Sequence, residues 1–229
     1  MAKNIESAQN GLGDSTTPPS LSIAVPTLRD IEPLNEQWDC VKLPTDVLLL
    51  TVKDTEFLSC YAYLDNITRS YHKGLGRVYF GEMGREERER VRVSLMRCQE
   101  GASDVGGAQN AVRNAVSLLR PKAVIGVGFC DGLNRAKAKL GDVVISVKLS
   151  TYSHGVTANV SRNMADLIRY AADGWKAPLE NPEALEVDVH RDKAMLSGPE
   201  LVDCDVRRRD LLRKYPDAIA IEMEGEGIQ

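Results

Sequence analysis

The chain has 229 residues, 43% of them hydrophobic and 27% charged, a balance that excludes a collagen-like, wholly disordered or disulfide-scaffold protein. Lysine and arginine number 29 against 33 acidic residues, a net charge of −4, which argues against a general binder of nucleic acid polymers. Apolar runs are strand-sized and none approaches the roughly 20 residues of a membrane span. No apolar signal core occupies residues 1–10. The five cysteines are scattered and form no CxxC pair, so no zinc site or disulfide framework is expected. A reducing cytoplasm is the expected compartment.

In chain order, residues 1–42 are expected to be a flexible leader, because 11–20 are turn-rich and without periodicity. The domain then runs over 43–229. Residues 46–52 predict a strand whose continuous apolar run belongs in a sheet covered on both faces. Residues 55–64 predict a helix, with Phe57, Leu58, Tyr61 and Leu64 at helical spacing. Weak strands follow at 77–81 and 91–96, separated by a charge cluster at 84–90 that reads as a solvated turn. The glycine-rich turn 101–107 leads into a helix over 108–119, which Pro121 ends. Residues 123–127 predict an apolar strand, 142–147 another, and 161–172 an amphipathic helix with Ser161 as N-cap. A short strand at 194–197, a basic helix at 201–215 and a last strand at 218–223 complete the pattern. Strands alternating with helices predict an α/β layer fold, in which sites lie at strand C-terminal ends.

Two such ends stand out. The first is Gly126-Val-Gly-Phe-Cys-Asp-Gly132, whose GxGxxxG spacing departs from the dinucleotide fingerprint. Only residues 133–141, several of them basic, separate it from the next strand, which leaves no room for the Rossmann helix. It reads as a tight turn, as a loop over which a sugar or base lies against backbone, or as both. The second is Ile219-Ala-Ile-Glu-Met-Glu-Gly-Glu-Gly227, where Glu222 and Glu224 share one side of a strand. Carboxylates at the end of a buried strand need partners, and an ionised carboxylate suits two neighbouring hydroxyls such as those of a ribose. The alternative is a strand leaving the core for solvent. Glu56, in the first turn of a helix, is a candidate to activate water or an acid placed there by the helix dipole. The glycine turn 101–107 lacks the P-loop pattern and reads as a close backbone turn. Arg207, Arg208 and Arg209 read as the wet face of a helix, and His72, His154 and His190 have no ligand spacing.

Three segments in this order resemble the nucleoside phosphorylase and nucleosidase superfamily, of the purine and uridine phosphorylase type that includes the methylthioadenosine/S-adenosylhomocysteine nucleosidases. They are Leu48-Leu-Leu-Thr-Val-Lys-Asp-Thr-Glu56, Val124-Ile-Gly-Val-Gly-Phe-Cys-Asp-Gly-Leu133 with Leu140-Gly-Asp-Val-Val-Ile-Ser146, and Ala218-Ile-Ala-Ile-Glu-Met-Glu-Gly225. The resemblance implies a three-layer α/β/α fold around a twisted mixed sheet. It implies cleavage of the N-glycosidic bond of a purine nucleoside or nucleotide, with water or phosphate as attacker. By resemblance Met223 packs on the ribose, Glu224 binds its 2′ and 3′ hydroxyls, and Gly128, Phe129 and Cys130 lie near sugar and base. Leu201 and Val202 fall near the base, and Glu56 matches a water-directing carboxylate. No metal or organic cofactor is implied, phosphate being a possible co-substrate, and a homo-oligomer is expected. The family's purine-protonating aspartate lies on a strand beyond Gln229. The expectation is therefore a domain lacking its C-terminal elements, part of a longer chain with fusion to further domains left open. The family's phosphate positions hold Val52-Lys53-Asp54 and Gly126, which favours water, although Lys53, Arg97 and Arg113 remain candidates to meet an anion. Phe129 stands where a small polar residue is common. The competing readings are a catalytically incomplete nucleoside-binding regulatory module and a dinucleotide-binding oxidoreductase.

Overall fold

The computed structural model describes residues 17–84 and 89–228. Residues 1–16 of the leader, the middle of the charge cluster at 84–90, and Gln229 lie outside the described residues.

The first half of the chain runs β1 (Leu34–Asn35), β2 (Val47–Thr51), α1 (Asp54–Tyr61), β3 (Asp65–His72), β4 (Gly76–Met83), β5 (Val91–Arg97), α2 (Ala108–Leu119) and β6 (Ala123–Gly126). Its strands form a mixed sheet of order β1-β3-β4-β5-β2-β6, in which β2 lies parallel to both β5 and β6. Alternation along β2 builds the layers. Leu48 and Leu50 face Ala108, Ala115 and Leu119 of α2. Leu49 faces Phe57, Leu58 and Cys60 of α1 on the other side. A helix thus covers each face, as the continuous apolar run requires.

The second half runs β7 (Asp131–Gly132), β8 (Val143–Val144), β9 (Lys148–Thr151), β10 (Thr157–Asn159), α3 (Arg162–Tyr170), β11 (Val189–His190), β12 (Ala194–Ser197), α4 (Asp205–Lys214) and β13 (Ala218–Glu222). Its main sheet has the order β10-β9-β12-β13-β7, again mixed, with β12 parallel to β9 and β13. β8 and β11 form a small separate parallel pair. The fold is mixed α/β around a mixed sheet that divides into these ladders, and residues 127–130 carry the chain from one to the other.

Several expectations need correction. Residues 17–42 do not stand apart as a leader. Trp38 stacks against His72 with ring centroids 4.6 Å apart, Val25 and Ile31 pack against the α1 side of the core, and β1 joins the sheet beside β3. β3 was not expected, because its residues are largely polar and only Ser70 is buried. Its ladder with β4, together with the bulge near Asn66 at φ 53°, holds it in place. The apolar strand at 123–127 is an edge strand whose Ile125 is 42% exposed. The strand expected over 142–147 shrinks to two residues. The basic helix begins at Asp205, because the segment before it is drawn into the core at Val202. Ser161 caps α3 as expected, its hydroxyl accepting from Met164 N at 3.3 Å.

Candidate active site

Glu56 occupies the third position of α1 and is 8% exposed. Its Oε2 accepts the backbone N–H groups of Val52 and Lys53, each at 2.8 Å. That arrangement caps the helix start and would by itself account for an acid here. Capping does not account for the third bond, in which Oε1 accepts from Phe129 N at 3.1 Å. Gly128 is what allows this approach, since a Cβ there would sit 3.2 Å from Glu56 Oε1. A carboxylate has about four acceptor sites. Three amides occupy three of them and leave one, on Oε1, for a water.

Glu222 and Glu224 do not share a strand face. β13 ends at Glu222, and the chain turns into a single 3₁₀ turn over Gly225–Gly227. Glu222 folds back over that turn, its Oε2 accepting from Glu224 N at 2.8 Å and Gly225 N at 2.7 Å. Glu224 reaches across to the glycine-rich turn instead, where its Oε1 accepts from Gly101 N at 2.9 Å. One carboxylate therefore builds the turn, and the other keeps its Oε2 available. Met223 between them is half-buried.

Cys98 links the two halves of the site. Burial pushes its thiol up to about 11, with the charges of Glu224 and Glu56 adding to the shift. Both carboxylates thus act on one sulfur at the end of β5. Cys130 is an exposed loop residue, and the next residue, Asp131, pairs with Ile221, which sets the loop beside the end of β13. Gly128 and Phe129 are exposed, Phe129 at 71%.

Leu201 and Val202 are placed differently from one another. Leu201 is 80% exposed. Val202 is a core residue, packed with Leu133, Tyr152, Leu196 and Leu211 in a cluster separate from the one that holds Phe57 and Val127. Its side chain serves packing in that cluster.

The arginine run also needs correction. Arg208 is 7% exposed. Its guanidinium donates to Gly132 O at 2.7 Å and Val202 O at 3.2 Å and pairs with the Asp131 carboxylate. It ties the exit of the glycine loop to α4. Helical spacing within Arg207–Arg209 was the only available sign, since three consecutive residues cannot share a face.

Burial holds the Glu222 carboxyl above the usual carboxylate range, opposed by the nearby Ser197 hydroxyl and the two backbone amides. A raised folded-state value means that the folded chain holds this proton more tightly than the unfolded one. Stability from this group is then lost as pH rises from the usual value through the raised one. We expect the urea midpoint of Glu222→Gln, minus that of the unaltered chain, to increase with pH across that window. A difference independent of pH would contradict the assignment.

Among the described residues no group of His, Cys, Asp and Glu is arranged to hold a metal ion, and no helix is long and apolar enough to cross a membrane.

No family model matches the chain, and no curated protein matches it in sequence. Its fold does match solved structures. The methylthioadenosine/S-adenosylhomocysteine nucleosidase of Neisseria meningitidis, solved with methylthio-immucillin-A, superposes with a TM-score of 0.63 at 18% identity over 80% of this chain and 78% of that one. The corresponding enzyme of Colwellia psychrerythraea, solved with adenine, gives 0.65 at 14% identity over 81% and 75%. Futalosine hydrolase of Helicobacter pylori gives 0.58 at 14% identity over 81% and 77%. At these identities the likeness is one of fold. The chain has the fold of the nucleoside phosphorylase and nucleosidase superfamily.

Proposed function

We propose that this chain cleaves the N-glycosidic bond of a purine nucleoside, with water as the attacking group. The observation that carries the reading is that Glu56 accepts from the Phe129 amide of the glycine loop, while Glu224 accepts from the Gly101 amide next to Glu100, whose carboxylate pairs with Lys53 at the start of the helix that holds Glu56. Both acids act on the Cys98 thiol. The solved neighbours that hold adenine or a methylthio-immucillin lend support to the purine class.

Each residue has a task in this chemistry. Bond cleavage develops positive charge on the sugar ring. Glu224 Oε2 accepts the ribose hydroxyls and favours that charge. The free acceptor site on Glu56 Oε1 orients a water toward C1′ and takes its proton as the C1′–O bond forms and the C1′–N bond breaks, while the departing purine takes a proton from solvent. Met223 supplies an apolar surface beside the sugar, and Gly128 permits close approach to the loop backbone. The Lys53 ammonium is already paired with Glu100, and the charges of Glu56 and Glu224 favour it further. That acidic setting disfavours an anionic attacker such as phosphate and suits water.

Replacing Glu224 by glutamine removes the charged acceptor while keeping the shape. The expected loss in kcat/KM for a purine ribonucleoside is about 2–4 kcal/mol of transition-state stabilisation. Steady-state kinetics of base release measure it, and an unchanged kcat/KM would contradict the ribose assignment.

A second reading, a nucleoside-binding module without turnover, is favoured by one observation. Gly128, Phe129 and Cys130 are exposed, and two clefts of the described residues, one lined by Trp175, Leu185 and Arg191 and the other by Arg69, Tyr71 and Arg77, lie elsewhere. Cleavage draws on exclusion of water around the sugar. Saturable binding of adenosine with no free base formed would select this reading.

A further inference from the structure

The glycine-rich turn after β5 does more than reverse the chain. Within it Gln99 N donates to Gly106 O, Gly107 N to Asp104 O, and Ala108 N to Gly101 O. These bonds close the turn onto the start of α2 and leave the Gly101 amide directed at Glu224. Gly101 has φ +87°, and a Cβ there would meet Asp104 Oδ2 at 2.7 Å, so only glycine presents its amide in this way.

The residue before it is fastened to the other acid's helix. Glu100 Oε1 accepts from Lys53 Nζ at 2.8 Å. The backbone amide of the same Lys53 donates to Glu56 Oε2 at 2.8 Å. One unbroken series of bonds therefore runs from the Phe129 amide to Glu56, to Lys53, to Glu100, and through the next residue's amide to Glu224. The Lys53 ammonium is favoured first by Glu100 and, from farther away, by Glu56 and Glu224.

We infer that Lys53, Glu100 and Gly101 form a positioning unit that sets Glu224 against Glu56: the ion pair fixes the turn to α1, and the Gly101 amide orients the carboxylate so that Oε2 meets the ribose diol. The inference rests on the reading of Glu224 as the ribose acid. Lys53 and Glu100 are about half exposed, at 52% and 62% of their side chains, so their pair acts as a latch of modest strength and not as a source of stability.

The test compares adenosine with 2′,3′-dideoxyadenosine, which lacks the diol. Dissociation constants come from calorimetry and turnover from base release, for the unaltered chain and for Lys53→Met, Glu100→Gln and Gly101→Ala. Breaking the latch is expected to weaken adenosine binding about two- to fivefold, the range of an exposed ion pair. Gly101→Ala, which turns the amide away, is expected to weaken it about ten- to a hundredfold. Binding of the dideoxynucleoside stays unchanged in all three. Equal weakening for both nucleosides, or none for either, overturns the inference. If the unaltered chain binds neither nucleoside, the ribose reading fails by itself. Hydrogen exchange at the Gly101 amide then decides the positioning unit: faster exchange in Lys53→Met and in Glu224→Gln upholds it, and an unaltered rate overturns it.

Discussion

Arg208→Met is expected to destabilise the fold by about 3–5 kcal/mol. The guanidinium serves three acceptors on two elements, Gly132 O, Asp131 and Val202 O, from within the core between α4 and β7. Methionine fills much of the volume but supplies no donor. Two carbonyls each lose a charged donor, a loss of about 1–3 kcal/mol apiece. Asp131 is 48% exposed, so water recovers part of its loss and the pair itself contributes less than a fully buried one would. Lysine keeps the charge but cannot span three acceptors in a fixed plane, so Arg208→Lys falls between the two. Urea unfolding measures the difference. A change below about 1 kcal/mol would mean that the contacts of Arg208 are incidental. The same substitution loosens the exit of the glycine loop, so turnover falls even where the variant remains folded.

Glu56→Gln is expected to lower kcat by about 10²–10⁴-fold while leaving the dissociation constant of the nucleoside within a few-fold. The amide keeps one carbonyl oxygen, which can still accept from Val52 and Lys53 and preserve the helix start. Its NH2 then faces the Phe129 amide, donor against donor, where Oε1 now accepts. The acceptor site for a water is lost with it. Helix capping without chemistry makes the opposite prediction, a small loss of stability with kcat unaltered. Stopped-time assays of base release alongside thermal unfolding separate the two, since only a catalytic role moves kcat more than stability.

The two candidate sites could be picked out in the sequence because they lie where apolar runs stop. β2 and β13 announce themselves by continuous hydrophobicity, and Glu56, Gly128 and Glu224 follow such runs directly. α2 was readable from its periodic apolar face and from Pro121. Tertiary partners were not readable. Gly101 and Glu224 are 123 positions apart, and nothing local marks the amide that holds the acid. Arg208 looked like its neighbours in a basic run, and only the packed structure shows which of the three turns inward. Val202 carried no sign separating a core role from a place beside a base. β3 escaped notice because its ladder with β4, and not its composition, makes it a strand. The described part of the leader is held by single anchors such as Trp38, whose contacts with His72 and Phe80 are long-range.

Glu56 and Glu224 are proposed to cleave a purine nucleoside with water. Incubation of the protein with adenosine and other purine nucleosides in phosphate-free buffer, followed by chromatographic measurement of free base and free ribose in equal amounts, tests it most directly. We predict release that needs no phosphate and that Glu56→Gln slows by about 10²–10⁴-fold. Release of base only when phosphate is added, or no release from any purine nucleoside, would contradict it.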